Sequence, residues 1–155
     1  MRNRRVEITP MTAEDLDPVM VIEQAGHPSP WPAQVFVEEL AREWARIDVV
    51  RERDPDGVSR VAGFCNYWIV RDEIHLLNIA THPDRRQRGH AAALMDNLLA
   101  VARAHHCRYL TLEVRRSNRP AIALYERYGF VAVGLRPKYY VENREDAIVM
   151  SLDLE

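Results

Sequence analysis

The sequence predicts an α+β fold on a mixed central sheet of about seven strands, and three observations carry that expectation. Short apolar runs with strand alternation recur along the chain. Helical periodicities are interspersed between them. Near the middle, "EIHLLNIA", a long helical pattern beginning past Gly89, and "RYLTLEVR" follow one another. A strand, a long helix and a second strand in that order imply a right-handed crossover between parallel strands.

Residues Arg5 to Thr9 read as a first strand, and Thr12 followed by Asp15 resembles a capping arrangement that opens a helix through about Ala25. "GHPSPWP" breaks it. A second helix is expected from Ala33 to about Trp44, because Phe36, Leu40 and Trp44 recur at helical spacing while Glu38, Glu39, Arg42 and Glu43 fall elsewhere. "RIDVVRER" and "VAGFCNYWIV" flank the turn segment "DPDGVS" and read as an antiparallel hairpin. The helix after Gly89 carries Leu94, Leu98 and Val101 on one stripe and ends near His105 and His106, where imidazoles suit the negative end of the helix dipole. "NRPAIALYERYGF" is a short helix with Pro120 in its first turn and Gly129 as its C-cap. "FVAVGLRPKYYV" and "DAIVMSLDL" close the sheet around the loop "ENRED".

Composition bounds the function classes. At 155 residues and 47% apolar, residues 1–155 fit one domain with a proper core. Lys and Arg number 21 against 23 Asp and Glu, a formal net charge of -2, so the basic excess of a nucleic-acid binder is missing and any cationic site must be local. Cys65 and Cys107 form no CxxC pair and suit reduced thiols. The basic start "MRNRRVEITPM" runs into no apolar segment of signal-peptide type, and no run is long enough to span a bilayer. The expectation is a soluble cytoplasmic monomer without membrane or direct nucleic-acid contacts.

The most informative stretch is "NIATHPDRRQRGHAAALM", from Asn78 to Met95. Arg85, Arg86 and Arg88 surround Gln87 and reach Gly89 where the helix begins. A helix N-terminus offers unpaired N–H groups and partial positive charge, and glycine lets an anion approach the backbone, so a phosphate is the natural occupant. "GHAAAL" lacks the second glycine and the lysine of a Walker motif, and GxGxxG is absent too. An exposed basic loop capping an ordinary helix is the alternative.

Arg86, Gly89 and Ala91 match the Arg/Gln-x-x-Gly-x-Gly/Ala signature of the GNAT N-acetyltransferases, placed between a strand and a long helix as in that family. Ala91 stands where glycine is common, and the motif tolerates it. With "LEVRRSNRPAIALYERYGF", Tyr139 and Tyr140, "EDAIVM", and "GHPSPWP" with Phe36 and Leu40, the chain resembles the RimI-type ribosomal-protein-alanine branch of the family over most of its length. The resemblance implies acetyl-CoA as cosubstrate and no metal. It places the pyrophosphate on Gln87, Arg88, Gly89, His90, Ala91 and Ala92, and the pantetheine arm along Ile79, Ala80 and Thr81. The implied acceptor is the N-terminal peptide of a small-subunit ribosomal protein. A GNAT enzyme for another peptide or small amine, or a CoA-binding regulatory protein without turnover, are the alternatives; the presence of both Glu113 and Tyr125 argues against the last.

Acyl transfer to an amine needs a base and a proton for the leaving thiolate. Glu113 resembles the family's general base; Leu110, Leu112 and Val114 make its strand apolar, where a carboxylate is out of place unless paired or functional. Tyr125 resembles the family's general acid, although Ala121, Tyr125 and Tyr128 also form an ordinary helix stripe. Asn118 either bonds the pantetheine arm, as its family counterpart does, or caps the short helix, and both are compatible. "HHC" at His105 to Cys107 is weak as a metal site, and Cys107 reads as a buried thiol rather than a nucleophile. Trp31, Tyr139 and Tyr140 either line the acceptor groove or are plain packing. Glu142, Glu145 and Asp146 crowd the last loop and are expected to attract cationic residues of a peptide, a plain solvated turn being the competing reading.

Overall fold

The structure, a computed structural model, describes residues 6–154. Arg5, where the first expected strand begins, lies outside the described residues. Strand β1 is Val6–Pro10. A turn of 3-10 helix, Ala13–Asp15, leads into helix α1, Leu16–Gly26. As expected, Thr12 and Asp15 fix the entry: the Thr12 N–H donates to Asp15 Oδ2 at 2.9 Å. Asp15 also takes a two-pronged ion pair from Arg51, at 3.0 and 2.7 Å, which ties this corner to the sheet.

Helix α2 is Ala33–Ala41, shorter than expected. Arg42 turns into extended backbone, and the recurrence of Phe36, Leu40 and Trp44 does not describe the buried face. Phe36 is fully buried, but Leu40 and Trp44 are 38% and 49% exposed. The inward position is Glu39, whose carboxylate accepts from Asn66 Nδ2 at 3.1 Å, Trp68 Nε1 at 2.9 Å and Arg42 at 2.8 Å. A buried carboxylate with three donors can displace leucine from the apolar face, because desolvation is offset by charge-assisted bonds.

The remaining elements are β2 (Ala45–Arg53), β3 (Ser59–Val70), β4 (Glu73–Thr81), α3 (His90–Ala104), β5 (Tyr109–Arg115), α4 (Arg119–Arg127), β6 (Val131–Tyr140) and β7 (Glu145–Asp153). The sheet has seven strands in the order β1-β2-β3-β4-β5-β7-β6. Among the described residues only β4 and β5 pair in parallel, through the expected crossover; the other pairs are antiparallel. Alternation gives the sheet two apolar faces. Leu94, Met95, Leu98 and Ala102 of α3, with Leu124 and Tyr125 of α4, pack on Ile74, Leu76, Leu110 and Leu112. Val19 and Ile22 of α1 and Phe36 of α2 pack on Ile47, Val49, Val61 and Phe64. Val101 sits at the edge of the α3 stripe, half-buried. His105 caps α3, its Nδ1 3.0 Å from the Val101 carbonyl, while His106 lies past the helix end at a φ of 56°. Among the described residues, no helix is long and apolar enough to cross a membrane.

Gly63 of β3 carries a packing constraint that periodicity does not reveal. A Cβ there would sit 2.7 Å from the Ala80 carbonyl oxygen and 3.2 Å from Val50 Cγ1. Backbone cannot retreat as a flexible side chain can, so Gly63→Ala should destabilise the protein by about 1–3 kcal/mol. Urea unfolding of the two proteins at one pH checks this.

Candidate active site

The site begins as a defect in the sheet. Between β3 and β4 the register shifts: Tyr67 faces Leu76 and Asn66 faces Asn78, leaving Leu77 as an extra residue on β4. Such a bulge bends and twists its strand. The parallel pairing of β4 with β5 stops just there, at Leu76 opposite Leu112, although β4 runs on to Thr81 and β5 to Arg115. The two strands fork. Along the fork β4 shows an edge free of β5, and a cavity of about 620 Å³ fills the gap, lined by Asn78, Ile79 and Ala80 on one side and Glu113, Asn118 and Tyr125 on the other.

Both candidate catalytic residues thus reach one cavity. Tyr125 is 6% exposed and leans on Phe130, with ring centroids 5.8 Å apart. Burial, followed by the nearby Cys65 and Tyr140, pushes its phenol well above the ordinary tyrosine range, so the hydroxyl keeps its proton. Glu113 is paired: His75 Nε2 lies 2.8 Å from Oε1, and Arg136 Nη2 is 3.8 Å from Oε2. Asn118 caps α4, its Oδ1 accepting from the Ala121 N–H at 3.3 Å, and lines the cavity as well.

Beyond the end of β4 along the chain, Gly89 starts α3 in the left-handed region, φ 82°. A Cβ there would meet nothing within 4 Å, so the backbone faces open space. The first helical bond runs from the Ala93 N–H to the Gly89 carbonyl. The N–H groups of His90, Ala91 and Ala92 therefore lack an intrahelical acceptor, as at any helix start. Open N–H groups of this kind are where helices bind anions. The His90 side chain is 2% exposed and lies 3.3 Å from Glu52. Thr81 and Gln87 to Ala92 are not among the residues lining the cavity itself.

The loop is less cationic than its sequence. Arg85 bonds Glu52 at 2.6 Å and Asp54 at 2.7 and 2.8 Å, and Arg88 bonds Glu52 at 2.6 Å. The hydrogen bonds from Arg85, then Arg60, hold the Asp54 carboxyl below the usual range. Burial opposes ionisation of Glu52, yet the two arginines keep it low as well. Arg86, exposed, is the arginine of the three with no acidic partner among the described residues. At this loop the groups left open are backbone N–H groups and Arg86 rather than a cluster of free guanidinium groups.

The cavity is also lined by aromatic rings, and the charges of the last loop are largely paired. Trp31, Trp68, His75, Tyr139 and Tyr140 line the cavity. Trp31 packs on Phe36 at 5.5 Å and Tyr139 on Tyr140 at 5.1 Å, so these rings pack and face the cavity together. Arg115, 9% exposed, stacks over Tyr140 at 3.9 Å and pairs with Glu142 and, at 3.5 Å, Glu145. Asp146 is 3.3 Å from Arg116 and accepts from the Lys138 N–H at 3.0 Å. The three carboxylates expected to draw a basic peptide are thus each paired within the chain, with Arg115 or Arg116. The thiols of Cys65 and Cys107 are both free and buried, and burial raises both. Among the described residues no group of three or more His, Cys, Asp or Glu could hold a metal ion.

Glu23 and Asn78 escaped the sequence reading. Glu23, 1% exposed, accepts from the Trp31 N–H at 3.0 Å and from Asn78 Nδ2 at 2.7 Å. It thereby staples the segment between α1 and α2 to β4 where the fork opens. No periodicity signals this, since the partners are 8 and 55 residues away.

Comparison with known proteins agrees with this geometry. Residues 16–130 match the model of the acetyltransferase (GNAT) family. The ribosomal protein bS18-alanine N-acetyltransferase of Escherichia coli strain K12 is 34% identical over 149 residues, covering 95% of this chain and 97% of that one. The crystal structure of the Escherichia coli ribosomal-protein-S18-alanine N-acetyltransferase superposes with a TM-score of 0.85 at 34% identity, covering 97% of this chain and 95% of the other. Arabidopsis thaliana NAA60 in complex with acetyl-CoA shares the fold at a TM-score of 0.87 and 21% identity, covering 97% and 99%. The forked parallel pair, the glycine-opened helix beside it and these matches make the chain a member of the GNAT acetyltransferase family.

Proposed function

We propose that this enzyme transfers an acetyl group from acetyl-CoA to the α-amine of an N-terminal alanine, on a small-subunit ribosomal protein of the bS18 type. The observation that carries the reading is that Glu113, Tyr125, Asn118 and the free edge of β4 line one cavity. The Escherichia coli relative, named for bS18-alanine acetylation and matching nearly end to end, supports the choice of acceptor. The residues fit acetyl-CoA: the α3 start leaves room at Gly89 for a pyrophosphate, and the β4 edge at Ile79 to Thr81 offers backbone groups for a pantetheine amide. When bound, the thioester supplies the activated acetyl group. Glu113 takes the proton from the attacking amine, directly or through water, and the Tyr125 hydroxyl gives a proton to the departing sulfur. A phenol that burial holds protonated suits that second task.

The choice of an α-amine follows from proton availability. An α-amino group titrates at about 7.7–8.0 and a lysine at about 10.4, so near pH 7.5 roughly a third of the first is neutral against about 0.1% of the second. The difference is about 3.5 kcal/mol of deprotonation, which a single carboxylate would have to offset for lysine. An Ala-starting basic peptide should therefore be acetylated at its N-terminus, and blocking that terminus should abolish the reaction despite free lysines. Mass spectrometry locates the group; an acetyl-lysine in the unblocked peptide would overturn the assignment. Because Glu142, Glu145 and Asp146 are engaged by Arg115 and Arg116, added salt should change the peptide KM by less than about threefold.

A further inference from the structure

We propose that His75 is a positioning residue for the transfer, one that holds the Glu113 carboxylate with Oε1 anchored and Oε2 turned to the acceptor amine. The inference rests on the acyl-transfer reading above. Its starting point is strand register. His75 faces Thr111 across the parallel pair, and Glu113, two residues on from Thr111, shares that face of β5. The opposite face holds Ile74, Leu76, Leu110 and Leu112, all at or below 2% exposure. His75 and Glu113 therefore meet diagonally on the cavity side, one residue to either side of the last pair, Leu76 and Leu112.

The contact has the marks of a positioning bond. At 2.8 Å it is a hydrogen bond of full strength, with Glu113 14% and His75 29% exposed in their side chains. For Nε2 to donate to a carboxylate oxygen, the hydrogen must sit on Nε2. The imidazole is itself held. It meets the Trp68 ring near-perpendicularly, centroids 6.0 Å apart, and the Trp68 indole is fixed by its Nε1–H bond to buried Glu39. A chain of contacts from α2 through β3 and β4 thus ends on the proposed base.

Without His75 the carboxylate would answer to a cation instead. Arg136 stands 3.8 Å from Oε2, beyond hydrogen-bond distance, on a side chain 57% exposed in the edge strand β6. An exposed guanidinium is a weak and screened partner, but with no competitor it would draw a three-torsion side chain outward. The deeper bond prevents that swing. Displacing a base by about 1 Å costs on the order of a hundredfold in rate, so a single bond at this position has a measurable effect.

The test compares the wild type with His75→Leu, which removes the donor, and His75→Gln, which keeps an N–H donor. Steady-state rates are measured on an Ala-starting peptide, a lysine peptide with a blocked terminus, and a polyamine. His75→Leu should lower kcat roughly ten- to a hundredfold with the KM for acetyl-CoA unchanged, and His75→Gln should recover most of the loss. Wild-type kcat in His75→Leu, or a loss equal in Leu and Gln, overturns the positioning role. Which amine the wild type accepts decides the α-amine reading separately, since the variant-to-wild-type ratio is taken on whichever amine that is. An imidazole proton NMR spectrum adds a readout without turnover. The Nε2–H proton of His75 should lie downfield and exchange slowly with solvent in the wild type and lose both marks in Glu113→Ala; a proton unchanged in that variant overturns the pairing.

Discussion

Glu113→Gln is expected to lower kcat by about 10²- to 10⁴-fold while acetyl-CoA binds as tightly as to the wild type. The amide has the shape of the carboxylate and can still accept from His75 Nε2, so the local packing has no cause to move. What is lost is a group able to take a proton. The substrate can replace part of that loss. At pH 7.5 roughly a third of an α-amine is neutral, and at pH 9 roughly nine-tenths, so the variant should gain about threefold over this range. The wild type, which removes that proton itself, should gain less. The gap narrows without closing, because the nitrogen must shed a second proton on the way to the amide. Single-turnover rates on the Ala-starting peptide at several pH values measure both effects. A variant with wild-type rates would assign the base to another group.

How much of this was legible in the chain depends on sequence distance. The crossover, the glycine at the start of α3, the cap at Asn118, and Glu113 and Tyr125 as residues facing one site all rest on local spacing and on a resemblance carried by contiguous motifs. Pairings between distant strands were not legible. Arg85 and Arg88 looked like free cations because Glu52 and Asp54 lie some thirty residues earlier, and only the fold brings β2 beside the loop. His75 and Glu113 are 38 residues apart and meet through a parallel register that no sequence window contains. Helix α2 was overextended for a related reason. Its repeat of apolar residues was real, yet Asn66 and Trp68 of β3 turn Glu39 into the inward residue and leave Leu40 and Trp44 outside. The bulge at Leu77, which opens the fork, leaves no compositional mark at all.

Gly89→Asp should weaken acetyl-CoA binding by about thirty- to a hundredfold and leave the protein folded. The structural cost is small. Gly89 has a φ of 82°, which most side chains resist, but Asp and Asn tolerate this region better than others and both are good N-cap residues. The new Cβ would meet nothing within 4 Å. The electrostatic cost is larger. A negative charge roughly 6 Å from a phosphate charge, at an effective dielectric of about 20, is worth about 3 kcal/mol of repulsion, close to a hundredfold, and salt reduces it at an exposed loop. The same carboxylate would also accept from the α3 N–H groups that are to hold the phosphate, so it competes for the donors as well as repelling the ligand. Gly89→Asn separates the two contributions, having the size and backbone demand of aspartate without its charge. Calorimetry should find Asn weakened only a few-fold and Asp far more, the difference shrinking as salt is raised. Equal affinity in Gly89→Asp and the wild type would remove the α3 N-terminus as the pyrophosphate seat, whatever the fate of Glu113.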